Sequence, residues 1–123
     1  MMQAAQTHDL PDVLYAGELE VRPSDGLALA AGRALTLSVR EFGLLVALVE
    51  RTGRIVSRAD LYRLVWGRDL RDGDRTIDVY VHKLRAKLEA ALPAWSFIHT
   101  HVGFGYRFTP EGSHLFHNSS TPR

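Results

Sequence analysis

The stretch RTIDVYVHKLR, Arg75 to Arg85, carries two complete stripes in one short run. At about 100° per residue, Ile77, Val81 and Leu84, with Leu88 one turn later, share one narrow helical face that has to pack on a core. The opposite side collects Thr76, Val79, His82, Lys83 and Ala86, with Arg75 and Lys87 at its edges. A merely solvated face more usually mixes Glu with Lys at i, i+4 spacing. Here Asp78 is the one acidic residue between Arg75 and Lys87, and it stands at the boundary of the core face. The spacing predicts a helix from Arg75 to Ala91, ended before Pro93, with one apolar and one cationic side.

Upstream, SVREFGLLVALVERTG opens on a Ser38-x-x-Glu41 capping box and places Phe42, Leu45, Leu48 and Val49 on one face, with Gly53 closing the segment. SRADLYRLVWG repeats the grammar: Ser57 is the N-cap, Leu61, Leu64 and Val65 form the inner face, and Gly67 is the stop. Between Gly67 and Arg75 runs a charged, aperiodic loop in which Asp72 or Asp74 caps the following helix. Earlier still, LYAGELEV (14–21) and LALAAGRALTL (27–37) are strand-like runs, separated by a turn at Pro23 to Gly26 and broken by a second at Gly32 and Arg33. They predict an antiparallel sheet of three or four strands. Beyond Pro93, WSFIHTHVGFGYRF reads as two strands joined by a tight turn around Gly103 and Gly105. The expected fold is α+β: an N-terminal antiparallel sheet, three helices and a C-terminal hairpin over residues 13–110, with polar tails at 1–12 and 111–123.

The chain has 123 residues, enough for one core, and a net charge of +1 that conceals an asymmetry. Between Arg51 and Lys87 ten Lys/Arg face five Asp/Glu, whereas the remainder holds five against nine. The positive charge is concentrated in the helical middle, which suits an anionic partner. There is no Cys, hence no disulfide framework and no thiolate metal site or nucleophile. The longest apolar run, Phe42 to Val49, is far short of the roughly 20 residues a bilayer crossing needs, and the polar N-terminus carries no signal-peptide pattern. A cytoplasmic protein is expected.

A helix fits the major groove of B-DNA, where Lys donates to the O6 and N7 acceptors of guanine and Val or Thr methyls meet a thymine methyl. Arg75, His82 and Arg85 are placed to reach phosphates beside it. A capped helix, a loop and a basic third helix make a helix-turn-helix, and the hairpin after it acts as a wing offering Thr100, Tyr106 and Arg107. For Tyr106 a place in the core is an equal reading.

These segments resemble the OmpR/PhoB-type winged-helix effector domains of bacterial two-component response regulators. The resemblance lies in LTLSVREFGLLVALVERTGRIVSRADLYRLVWG (35–67), DRTIDVYVHKLRAKLE (74–89) and GFGYRF (103–108), in family order and spacing. It implies a winged helix that binds double-stranded DNA in a sequence-specific manner to regulate transcription. Carried over by position, it implies recognition-helix contacts from Arg75, Thr76, Val79, Tyr80, His82, Lys83 and Arg85, with Lys83 where a base-reading cation often stands. It implies backbone contacts from Arg58 and Trp66, a wing of His101, Val102, Gly103 and Gly105, and a transactivation loop of Arg68, Asp69, Leu70, Arg71, Asp72, Gly73 and Asp74. The partners it implies are an RNA polymerase sigma or alpha subunit and a second copy on tandem half-sites. No cofactor, metal or catalytic residue is implied.

Two features depart from the family. Val102 stands where members often place an Arg that enters the minor groove, with His99 and His101 as neighbouring substitutes. Residues 1–37 contain nothing that resembles a phosphorylatable receiver, so the expectation is either an effector domain or a standalone regulator of the same fold. Among rival readings, His99, His101, His114 and His117 match no common zinc spacing and have no Cys beside them. No nucleophile lies in a strand-to-helix elbow, and GFG leads into a strand where a phosphate-binding loop would lead into a helix. The competing class is a winged helix that docks proteins and leaves DNA alone.

Overall fold

The computed structural model describes residues 12–112. Short strands β1 (Leu14–Ala16), β2 (Leu19–Arg22), β3 (Leu27–Ala30) and β4 (Arg33–Ala34) form an antiparallel meander in sequence order. Alternation dictates its inner face: Leu19, Val21, Ala28 and Ala30 are buried while their neighbours point outward. The β3–β4 turn is made by Ala31 and Gly32, both at positive φ, and Arg33 pairs with Ala30 in β4. That corrects the turn expected at Gly32 and Arg33. Such a turn twists with its strands, which outweighs the roughly 1 kcal/mol that a left-handed Ala costs. The run expected to be extended as far as Leu37 leaves the sheet at Ala34.

Helix α1 (Val39–Val49) starts on Ser38 as its spacing predicts. The Glu41 amide donates to Ser38 Oγ at 3.1 Å, and the Ser38 amide donates to Glu41 Oε1 at 2.8 Å. Helix α2 (Arg58–Trp66) is capped by Ser57 and ends at Gly67, whose φ of 76° lets its amide reach the Arg63 carbonyl. Its inner residues are Leu61 and Tyr62, with Val65 partly buried. Leu64, expected on that face, is 48% exposed, because so short a helix packs a stripe only one or two residues wide.

Helix α3 (Thr76–Ala91) is the long element, 16 residues. The N-cap is Arg75, which makes no side-chain capping bond, so neither Asp72 nor Asp74 is the N-cap; Asp74, one residue earlier, accepts the Thr76 amide at 2.8 Å and also the Thr76 hydroxyl. These bonds, the Thr76 hydroxyl foremost, hold the Asp74 carboxyl below its ordinary pKa. Ile77, Val81, Leu84 and Leu88 are all buried, as the stripe requires. The helix packs on α1, on α2 and on the first hairpin strand, β6 (Trp95–His101), which turns back into β7 (Gly105–Gly112).

A strand not anticipated from sequence, β5 (Ile55–Val56), pairs with β7 and makes the hairpin a sheet in the order β5-β7-β6. β7 continues to Gly112, which pairs with Trp95, two residues into the segment read as a tail. Trp95 joins the two sheets: its indole donates to Glu18 at 3.0 Å and its ring lies over Gly17, where a Cβ would sit 2.5 Å from ring carbons. Phe97 and Phe108 stack at 5.6 Å in the core beneath α3.

Candidate nucleic-acid interface

With its apolar stripe buried, α3 turns Arg75, Val79, His82, Lys83 and Ala86 to solvent. Val79 is 48% exposed, an apolar side chain left among cations. Tyr80 is half-buried and packs edge-on against Trp66 at 5.3 Å, and Lys83 Nζ lies 5.1 Å from the Tyr80 ring centroid. Trp66 in turn stacks on Tyr62 at 4.9 Å and is covered by the Arg40 guanidinium at 5.0 Å, while Arg40 donates to the Val65 carbonyl at 2.7 Å. Trp66 is therefore the middle of a stack running from Tyr62 to Lys83. The arginine that completes it comes from α1, 25 residues before Val65. No local pattern in the sequence announces Arg40.

The wing lies beside α3, tied to it at Arg85. Arg85 Nη2 donates to Thr100 Oγ1 at 3.0 Å, so these two expected contacts are partners of one another, and Arg85 Nε is buried without a hydrogen-bond partner. The turn from His101 to Gly105 is closed by the Phe104 amide on the His101 carbonyl at 2.8 Å, with Gly103 at φ 84°. Its tip is apolar: Val102 is 88% exposed and Phe104 72%. Arg107 Nε donates to His101 Nε2 at 3.1 Å, and His99 Nε2 bonds the Thr109 carbonyl. The two strand histidines thus have separate partners, while His114 and His117 lie outside the described residues. A cleft of about 460 Å³ separates the wing from the start of α2, lined by Ser57, Arg58, Leu70, Thr100, Val102 and Phe104 among others.

Tyr106 takes the other reading. It is buried, and its hydroxyl donates to Asp78 Oδ1, which ties β7 to the first turn of α3. Burial first, then this hydrogen bond, push its pKa up to about 12. Asp78 also pairs with Arg58 at 3.8 Å and with Arg75 at 3.6 Å, gathering α2, α3 and β7 around one carboxylate. Within the loop Arg68 to Asp74, Leu70 packs on the core, Asp69 pairs with Arg63 at 3.4 Å, and Arg68 lies over Tyr62 at 5.8 Å. Arg71, Asp72 and Gly73 remain exposed.

The profile of the family described as "Transcriptional regulatory protein, C terminal" matches residues 32–108, more than half of the chain. The alkaline phosphatase synthesis transcriptional regulatory protein SphR of Synechococcus elongatus is 38% identical over 102 residues, which is 83% of this chain and 40% of that protein. The dual master transcriptional regulator RpaA of Synechocystis is 38% identical over 95 residues, 77% of this chain and 39% of that one. The chain thus spans less than half the length of these relatives. Among solved structures, the DNA-binding domain of CpxR from E. coli superimposes with a TM-score of 0.74 at 32% identity, covering 81% of this chain and 97% of that one. The Klebsiella pneumoniae RstA DNA-binding domain, solved in complex with the RstA box, gives 0.72 at 27% identity over 80% and 98%. This chain belongs to the OmpR/PhoB-type family, the winged-helix domains with which transcriptional response regulators bind DNA.

Proposed function

We propose that α3 lies in the major groove of an operator, with Lys83 reading a guanine edge and Val79 and Thr76 meeting thymine methyls. Arg75, Tyr80, His82 and Arg85 flank them on the recognition helix, and Arg58, Trp66 and Thr100 position the backbone. The observation that carries this reading is the division of α3: its apolar stripe is sealed, and its outward face presents Arg75, His82 and Lys83 beside a wing. The wing of His101, Val102, Gly103 and Gly105 is directed at the neighbouring minor groove, with the apolar Val102 at its tip where the family often places an Arg. A second copy occupies a tandem half-site, and the exposed part of the loop, Arg71 to Gly73, meets an RNA polymerase sigma or alpha subunit. The proposed site of action is the cytoplasm; no helix among the described residues is long and apolar enough to cross a membrane. The role is binding, with no chemical step.

Selection from a random duplex library, followed by titration of the winner and a scrambled duplex at two salt concentrations, tests this. The reading expects an enriched repeated motif and a log–log salt slope of about −0.9 per phosphate contacted. A salt-insensitive interaction without enrichment would point to the protein-docking class.

A further inference from the structure

The carboxylate of Asp78 sits in the middle of the cationic surface without being needed by the apolar stripe beside it. Its side chain is 27% exposed, while those of Arg58 and Arg75 are 46% and 72% exposed. Both guanidinium groups lie close to the 4 Å limit of an ion pair, at 3.8 and 3.6 Å from Asp78 Oδ2. The other oxygen, Oδ1, takes the Tyr106 hydroxyl from the buried side. The carboxylate is therefore anchored from the buried side, and the two arginines are its exposed, loosely held partners. A position in the first turn of a helix is favourable for any acid, through the exposed amides there. That accounts for an acid in the turn but not for its tether to β7, nor for its grip on cations from two different helices.

We infer that Asp78 is a specificity-determining residue, which holds Arg58 and Arg75 back from indiscriminate phosphate binding. This rests on the DNA-binding reading above. Any duplex that takes these arginines must draw them from the carboxylate and bring its own phosphates toward a fixed negative charge. A cognate duplex offsets that cost with base contacts along α3, whereas a random one has only the backbone term. Asp78 thus lowers non-specific affinity more than specific affinity.

The test compares Asp78→Asn, which keeps an acceptor for Tyr106, and Asp78→Ser, a smaller neutral acceptor, with wild type on the selected and scrambled duplexes. Glu89→Gln, an equal charge change at an exposed position in the last turns of α3, serves as the control. Both Asp78 variants should bind scrambled DNA about three- to tenfold more tightly, with a smaller change on the selected duplex, given the modest worth of each surface pair. Their salt slope on scrambled DNA should steepen, and Arg58→Gln with Arg75→Gln should abolish the gain. An equal gain from Glu89→Gln, or equal losses on both duplexes, would overturn the inference. So would failure of both Asp78 variants to fold, which would make the residue a structural tie to Tyr106. A wild-type chain that discriminates between duplexes while its Asp78 variants gain nothing defeats this inference alone. Absence of discrimination in the wild type would instead defeat the DNA-reading role.

Discussion

Replacing Lys83 by Ala separates base reading from mere charge. Lys83 is exposed on the outward face of α3, and its Nζ lies 5.1 Å from the Tyr80 ring. A good contact to a guanine edge discriminates by about 1–3 kcal/mol. To make it, the ammonium must leave the Tyr80 face, where an exposed cation–π pair is worth about 0.5–1 kcal/mol. The net loss on the selected duplex is then about 0.5–2 kcal/mol, or roughly two- to thirtyfold in Kd. On scrambled DNA, where Lys83 stays on Tyr80, the change should be under about twofold, and thermal stability should move by less than about 0.5 kcal/mol. Fluorescence anisotropy at one fixed salt concentration, using the selected duplex, a scramble and a duplex with the contacted guanine replaced, reads all three. The same fold loss on selected and scrambled DNA would refute the assignment and make Lys83 a phosphate contact. A large drop in Tm would refute the premise that its side chain is free of the core.

Two further outcomes follow from the frame that carries α3. Gly105→Ala should destabilise by about 2–5 kcal/mol in chemical denaturation, since a Cβ would lie 2.1 Å from the Val56 carbonyl oxygen and φ is 142°; Gly103→Ala, with open space and φ 84°, should cost only about 1–2 kcal/mol, so equal losses would dismiss the steric argument. Burial raises the Glu41 pKa, but the Lys87 ammonium at 2.7 Å and the Ser38 amide more than offset it, and the net direction is downward from 4.5. A depressed carboxylate contributes stability above its unfolded pKa and loses it as pH falls through the lower folded value. Glu41→Gln should therefore cost about 1–2 kcal/mol at neutral pH, with the gap to wild type closing below about pH 4.5; a gap independent of pH in urea titrations would rule the ion pair out as its source.

The long periodic elements were legible because their signals are local. Ser38 with Glu41, Ser57 with Gly67, and the stripe Ile77, Val81, Leu84 and Leu88 each describe one helix without reference to any other part of the chain. What escaped depends on partners distant in sequence. Ile55 and Val56 are too few to show alternation and become a strand only because β7 lies alongside. Leu64 follows the helical period yet faces outward, since period gives direction and leaves the width of the buried stripe open. Tyr106 and Thr100 looked alike as polar strand residues, but one is folded against Asp78 and the other holds Arg85. The role of Arg40 over Trp66 is set by how α1 meets α2.

The same distinction explains how a domain this small holds a reading helix in register. Apolar packing is non-directional, so the buried stripe of α3 secures the helix on the core while tolerating small rotation about its axis. Polar ties remove that freedom, and they lie near opposite ends. In the first turn, Asp78 accepts from Tyr106 on β7. Nine positions later, about 13 Å along the axis, Lys87 donates to Glu41 of α1 at 2.7 Å and to the Thr36 carbonyl at 2.9 Å. Arg85 adds a tie to Thr100 between them and the wing. A rotation of α3 that carried Lys83 and Val79 away from the base edges proposed for them would have to break bonds at both ends, at roughly 1 kcal/mol or more each. The orientation of the outward face is thus set by polar ties as well as by the buried stripe, and on the proposed DNA-binding reading substitutions at Glu41 or Lys87 should blur sequence preference before they unfold the domain.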